Sequence, residues 1–259
     1  MARNFHFSAI AWRSEVGLHR ESNEDSALIA EDLIAVADGM GGYVGGEIAS
    51  RTVISELAEV HRLLSDPDVD LDSKEDIYSS SVAAMDAAIA TVAAENPHLS
   101  GMGTTLTSLA IMDNNAVLLH IGDSRAYRIR GKKITQLSHD HTVVQELIDQ
   151  GRLTADEVAD HPQRSLLTQA LMGNRTIESA LLAFPLEDGD IFLLCSDGLS
   201  SVVDEGKIAG AFTGDLQAGI DSLIELTYKN GAPDNVTIVA AKIGEMKFET
   251  APIKIGAAS

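Results

Sequence analysis

The chain has 259 residues, 45% of them apolar, which is enough for one large domain with a substantial core and no cross-links. Its 39 acidic against 19 basic side chains leave a formal charge of −20, a field that repels nucleic acid and anionic lipid and excludes non-specific binding to either. The lone cysteine, Cys195, closes no internal disulfide, and no charged start leading into a long apolar run marks a signal peptide or a membrane span, so a cytoplasmic monomer without membrane contact is expected.

In chain order, "FHFSAIAW" alternates weakly, and "SALIAED" followed by "LIAVAD" reads as two strands joined at Glu31 and Asp32. From Val44 to Leu64 the apolar residues Ile48, Val53, Leu57, Val60 and Leu64 recur at helical spacing, and an alanine-rich helix is expected over Ser73–Glu95, ended by Pro97 and Gly101. "TTLTSLAIMD", "AVLLHIGD", "AYRIR" and "KKITQLS" follow as short strands of an antiparallel meander. The stretch 140–173 changes character, with short helical patterns and the breaker pair His161-Pro162, and reads as a mobile flap inserted in the sheet. "DIFLLCSDG" returns to a buried strand, a helix is expected over 215–229, and "DNVTIVAAKI" is the last strand, leaving 245–259 as a tail or truncated linker after a domain of residues 1–244. The order β, helical pair, β meander, insert, β, helix, β lacks the regular alternation of a parallel α/β fold, and predicts two antiparallel sheets face to face with helices outside.

Four of these strands carry an aspartate at one end, beside a turn: Asp38, Asp123, Asp197 and Asp234. Each alone is explained by a turn or a helix cap. Together they point to a shared cation, because an apolar strand that ends in an unpaired carboxylate is costly to bury. Glycines after Asp38 and Asp197 let the backbone bend sharply and bring a carbonyl oxygen to an ion. With no cysteine or spaced histidine pair nearby, the cation should be hard, Mg²⁺ or Mn²⁺. Arg20, ahead of the acidic "NED" at 23–25, is suited to clamp two phosphate oxygens.

"GLHRESNEDS", "VADGMGGYVGGEIAS", "GMGTTLTSLAI", "HIGDSRAYRI", "HPQRSLLTQALMG", "LLCSDGLSSVV" and "DNVTIVAA" together resemble the bacterial form of the type 2C, metal-dependent (PPM-type) serine/threonine protein phosphatases, in the family's order and from Trp12 to Ile243. The resemblance implies an α+β fold, a four-layer αββα sandwich with a flap near 140–173. It implies hydrolysis of phosphoserine and phosphothreonine by a hydroxide bridging two divalent ions, Mn²⁺ or Mg²⁺, with phosphoproteins including Ser/Thr kinases as partners. Carried over by position, Asp38 would bridge the ions, Asp197 and Asp234 would hold one, and the Gly39 carbonyl would contact the other. Arg20 would bind phosphate, and Glu24 and Asp25 would accept hydrogen bonds from metal-bound waters. A third ion is implied at Asp123 and Asp197 with a backbone oxygen from Ser165, although relatives carry an aspartate where this chain has Ser201. Met40 stands where animal members have a histidine proposed as general acid, and a thioether has no proton to give. Relatives include both free cytosolic enzymes and cytosolic domains of membrane-anchored parents.

The competing reading is a silent phosphoprotein-binding module on the same fold; its mark would be a missing core ligand, and all three acids are present. "DPDVDLDSKEDI" at 66–77 fails as a calcium loop at Leu71 and Ile77 and reads as a solvated acidic loop. His139 and His141 read as part of a polar turn, and Cys195 as a buried, inert thiol.

Overall fold

The computed structural model describes residues 4–41, 45–158, 161–174, 177 and 179–259. Three strands open the chain, β1 (His6–Glu15), β2 (Asp25–Ile29) and β3 (Leu33–Met40), followed by the long helices α1 (Gly45–Leu64) and α2 (Leu71–Glu95). The meander comprises β4 (Gly103–Thr104), β5 (Leu106–Met112), β6 (Asn115–Ile121), β7 (Arg125–Arg130) and β8 (Lys133–Gln136). After it come α3 (Val143–Asp149), β9 (Leu182–Pro185), β10 (Ile191–Cys195), α4 (Asp197–Ser200), α5 (Glu205–Ala211), α6 (Leu216–Lys229), β11 (Val236–Gly244) and β12 (Ile253–Gly256).

The strands form two antiparallel sheets, one in the order β1-β11-β10-β7-β8, the other β12-β2-β3-β5-β6-β9 with β4 paired to β3. Between them lies a dry core of Phe7, Ile29, Ile34, Val36, Phe192, Leu194 and Val239, in which each large side chain stabilises the sandwich by about 1.5–3 kcal/mol. The opposite face of the second sheet is covered by α1 and α2 through Val53, Leu57, Tyr78 and Met85, and that of the first by α4–α6 through Leu199, Ile220 and Leu223. Both faces of both sheets are therefore buried, which explains why β2, β3 and β10 read as continuous apolar runs without alternation. The four-layer expectation holds.

Two local expectations need correction. Residues 245–259 are not an unstructured tail: β12 pairs antiparallel with β2, Ile253 against Ile29 and Gly256 against Ser26, and the Phe248 amide donates to the Phe7 carbonyl. A four-residue edge strand is too short to show a period, which is why it was missed. The acidic run 66–77 is a loop only to Asp70, whose carboxylate caps α2 by accepting from the Ser73 amide at 2.9 Å. Helix α2 is, among the described residues, the one helix long and apolar enough to cross a membrane, although Tyr78, Val82, Met85 and Ile89 are packed against the protein's own core.

Candidate active site

Backbone pairing alone brings two of the acids together. Asp25 opens β2 and lies directly across the ladder from Asp38 near the end of β3. Asp38 is held by its backbone, its amide donating to Thr105 Oγ1 (2.9 Å) and its carbonyl accepting from the Thr105 amide (2.9 Å). Asp123 sits in the turn through which the chain passes from β6 in one sheet to β7 in the other, Asp197 begins α4 just beyond β10, and Asp234 immediately precedes β11. Each is a strand-end residue. The ends meet in one cleft of about 940 Å³, lined by Arg20, Glu24, Asp38, Gly39, Asp123, Ser165, Asp197 and Asp234. Asp25 is buried behind it.

The glycines set the depth of this cleft. A Cβ on Gly39 would stand 2.1 Å from the Gly46 carbonyl oxygen and 2.6 Å from that of Glu24, so the end of β3, the start of α1 and the Glu24 loop touch backbone to backbone. A Cβ on Gly198 would meet the Asn235 carbonyl oxygen at 1.9 Å, which ties α4 to the start of β11 in the same way. Residues 42–44, Gly-Tyr-Val, lie outside the described residues.

The electrostatics are unbalanced. Burial pushes the Asp25 carboxyl up to about 7, opposed by hydrogen bonds from Ser196 and Thr237 and aided by Asp197 and Asp234. Asp38 is raised well above the ordinary carboxylate range by burial and then by Asp25, Asp197, Asp123 and Asp234. Asp123 rises to about 7, through burial and the nearby Asp197 and Asp140. Asp197 rises to about 6, through burial and Asp234, with Arg20 and Arg125 opposing. Burial raises Glu24 while Arg20 lowers it. Arg20 donates to Asp234 Oδ2 at 2.6 Å. Arg125 is engaged elsewhere, forked onto Asp140 with contacts of 2.7–3.1 Å.

Hard divalent cations fit this donor set. It offers only oxygens, its carboxylates repel one another, and Asp25 Oδ1 is buried without a hydrogen-bond partner. Among the described residues no three acidic, histidine or cysteine side chains are already closed on one point, Asp234 being held by Arg20.

Sequence reasoning overlooked Asn235. Its buried side chain accepts from the Glu24 amide (2.8 Å) and donates to the carbonyls of Val16 (2.8 Å) and Ser22 (2.9 Å), pinning the Arg20–Glu24 loop beside Asp234. Its adjacency to Asp234 was the available signal. Ser196 was overlooked as well; its hydroxyl donates to Asp25 Oδ2 at 2.7 Å. His139 contacts Asp149 and the His141 ring accepts from the Gly122 amide, so both histidines serve the turn, and Cys195 is wholly buried with its thiol pushed up to about 12.

The fold is that of the protein phosphatase 2C proteins. The Protein phosphatase 2C family matches residues 21–224. The serine/threonine protein phosphatase PstP of Mycobacterium tuberculosis is 43% identical over 251 residues, 96% of this chain and 48% of that protein. Protein phosphatase PhpP of Streptococcus pneumoniae is 32% identical over 93% of this chain and 99% of its own. The crystal structure of the PstP catalytic domain in complex with two manganese ions superposes with a TM-score of 0.83 at 40% identity, covering 93% of this chain and 99% of the other. The chain belongs to the protein phosphatase 2C family, and it spans about half the length of the PstP relative.

Proposed function

We propose that this chain removes phosphate from phosphoserine and phosphothreonine on proteins, Ser/Thr kinases among them, as a cytoplasmic monomeric catalytic unit using two divalent ions, Mn²⁺ or Mg²⁺. The observation that carries the reading is the meeting of Asp38, Asp123, Asp197 and Asp234, from four separate strand ends, with Arg20 in one cleft. The manganese-bound PstP structure supports it. Asp38, the Gly39 carbonyl, Asp197 and Asp234 would hold the pair of ions, and Asp123 with Asp197 and a Ser165 backbone oxygen a third. When bound, the ions supply Lewis acidity that acidifies water and neutralises charge at phosphorus.

The residues of the chain do the rest. Arg20 exchanges Asp234 for the non-attacked phosphate oxygens, placing a fixed positive charge where negative charge accumulates. Glu24 and Asp25 orient water by accepting its hydrogen bonds, and Asn235 keeps the loop carrying Arg20 in register with Asp234. Met40 has no proton to give, so a group other than Met40 protonates the leaving alkoxide. The test is phosphate release from a phosphothreonine peptide: we expect dependence on Mn²⁺ or Mg²⁺, abolition by excess chelator and loss in Asp38→Asn. Full activity in chelator would overturn the reading.

A further inference from the structure

The cleft is larger and less polar than phosphate chemistry requires. At about 940 Å³ it is the size that takes a drug-sized molecule, several times what one phosphorylated side chain fills. Besides the acids, the cleft is lined by the apolar Met40, Leu166, Leu167, Ala170, Met172 and Ile177, interleaved with Ser165, Thr168 and Gln169. Leu166 is 50% exposed, one of few large apolar side chains left so open to solvent.

This apolar lining is built rather than incidental. The arm that carries it is fastened at both ends. The Val143 amide donates to the Leu166 carbonyl (3.0 Å) and the Thr168 amide to the His141 carbonyl (2.8 Å). Further on, Leu171 and Thr104 exchange both backbone bonds at 2.9 Å, and Asp86 Oδ1 on α2 accepts from the amides of Met172 (2.9 Å) and Gly173 (2.7 Å). Gly103 packs beneath two of these side chains. A Cβ there would stand 2.8 Å from Met172 Cγ and 3.5 Å from Met40 Cγ, so the two methionines lie together over a position that has no side chain. Met40 is two residues from Asp38 along β3, which places the apolar side chains about two extended residues, roughly 7 Å, from the phosphate-handling end.

We propose that Met40, Met172 and Leu166 over Gly103 form a subsite for a bulky apolar side chain within one or two positions of the phosphorylated residue. The proposal rests on the phosphatase reading and names its substrate class: phosphopeptides flanked by leucine, methionine or phenylalanine. Paired methionines are soft and adaptable, so the subsite accepts several apolar shapes instead of one.

The test uses two phosphothreonine peptides that differ only in leucine or serine at the positions next to the phosphothreonine. For the unaltered chain with Mn²⁺ we expect kcat/KM to favour the leucine peptide by about tenfold or more. Met172→Gln and, separately, Leu166→Gln should reduce that ratio to about twofold or less. Leu166 is half exposed, so its variant folds even if the Met172 variant does not. Equal kcat/KM for the two peptides in the unaltered chain, or an unchanged ratio in the Leu166 variant, would overturn the subsite. Equilibrium binding of the same peptides separates the two readings. With no phosphate released from either peptide the hydrolase reading falls, tighter binding of the leucine peptide still supports the subsite, and equal binding removes it too.

Discussion

Asp25 faces Asp38 across the ladder with one carboxylate oxygen hydrogen-bonded to Ser196 and the other without a partner. Because burial lifts Asp25 and Asp123 to about 7 and Asp197 to about 6, from the ordinary aspartate value of 3.8, the folded metal-free chain holds protons that the unfolded chain has already released between those limits. These groups therefore contribute stability below about pH 4 that is lost as pH rises towards 7. The expected outcome is that their contribution lowers the Tm of metal-free protein between pH 5 and 7.5, and that added Mn²⁺ raises Tm more at pH 7.5 than at pH 5, because protons compete with the ion for the same oxygens; equal shifts at both pH values would contradict it. Arg20 tests the other side of the charge balance. Its pair with Asp234 is largely exposed and so adds little to stability, but a charged hydrogen bond to phosphate is stronger. Arg20→Ala should leave thermal stability nearly unchanged and raise KM by about tenfold to a hundredfold with a smaller effect on kcat, in steady-state kinetics on one phosphopeptide.

Among the elements, β12 is the one whose position bears most on the site. The Ala257 amide donates to the Asp25 carbonyl at 2.8 Å, and Gly256, at φ +69°, passes so close that a Cβ would stand 2.2 Å from that carbonyl oxygen. Gly256→Ala should cost about 1–3 kcal/mol in urea unfolding and weaken Mn²⁺ affinity measured by calorimetry, since the added methyl presses on the backbone of Asp25 in the neighbouring β2; an unchanged affinity would uncouple β12 from the site. The strand shows where sequence reading succeeds and where it stops. β3, β10 and β11 were legible because their apolar runs are long and buried on both faces, and the acids at their ends stood out against those runs. β12 is four half-buried residues whose only reason to be extended is the open edge of β2, over two hundred positions earlier. Asn235 was invisible in the same way, for its role comes from reaching Val16, Ser22 and Glu24, and the arm of the flap looked free because Asp86 and Thr104, which fasten it, lie far back in the sequence.

At the scale of the whole molecule, the site draws on both halves of the sandwich. Asp25 and Asp38 belong to one sheet, Asp197 and Asp234 flank the ends of strands β10 and β11 in the other, and Asp123 and the Arg20 loop lie in two of the connections that cross between them. Urea should therefore abolish phosphate release and the far-UV circular dichroism of the sheets at one midpoint, and an activity midpoint well below the structural one would show the site opening on its own. Neither sheet holds a usable part of the chemistry. A slip of one layer over the other by an ångström, small enough to leave every ladder intact, can cost about a hundredfold in rate. Turnover is thus a gauge of docking between the layers, and it should respond to pressure, cavity-forming substitutions at Phe192 or Ile34, or a ligand wedged at the far rim before any spectroscopic sign of unfolding does.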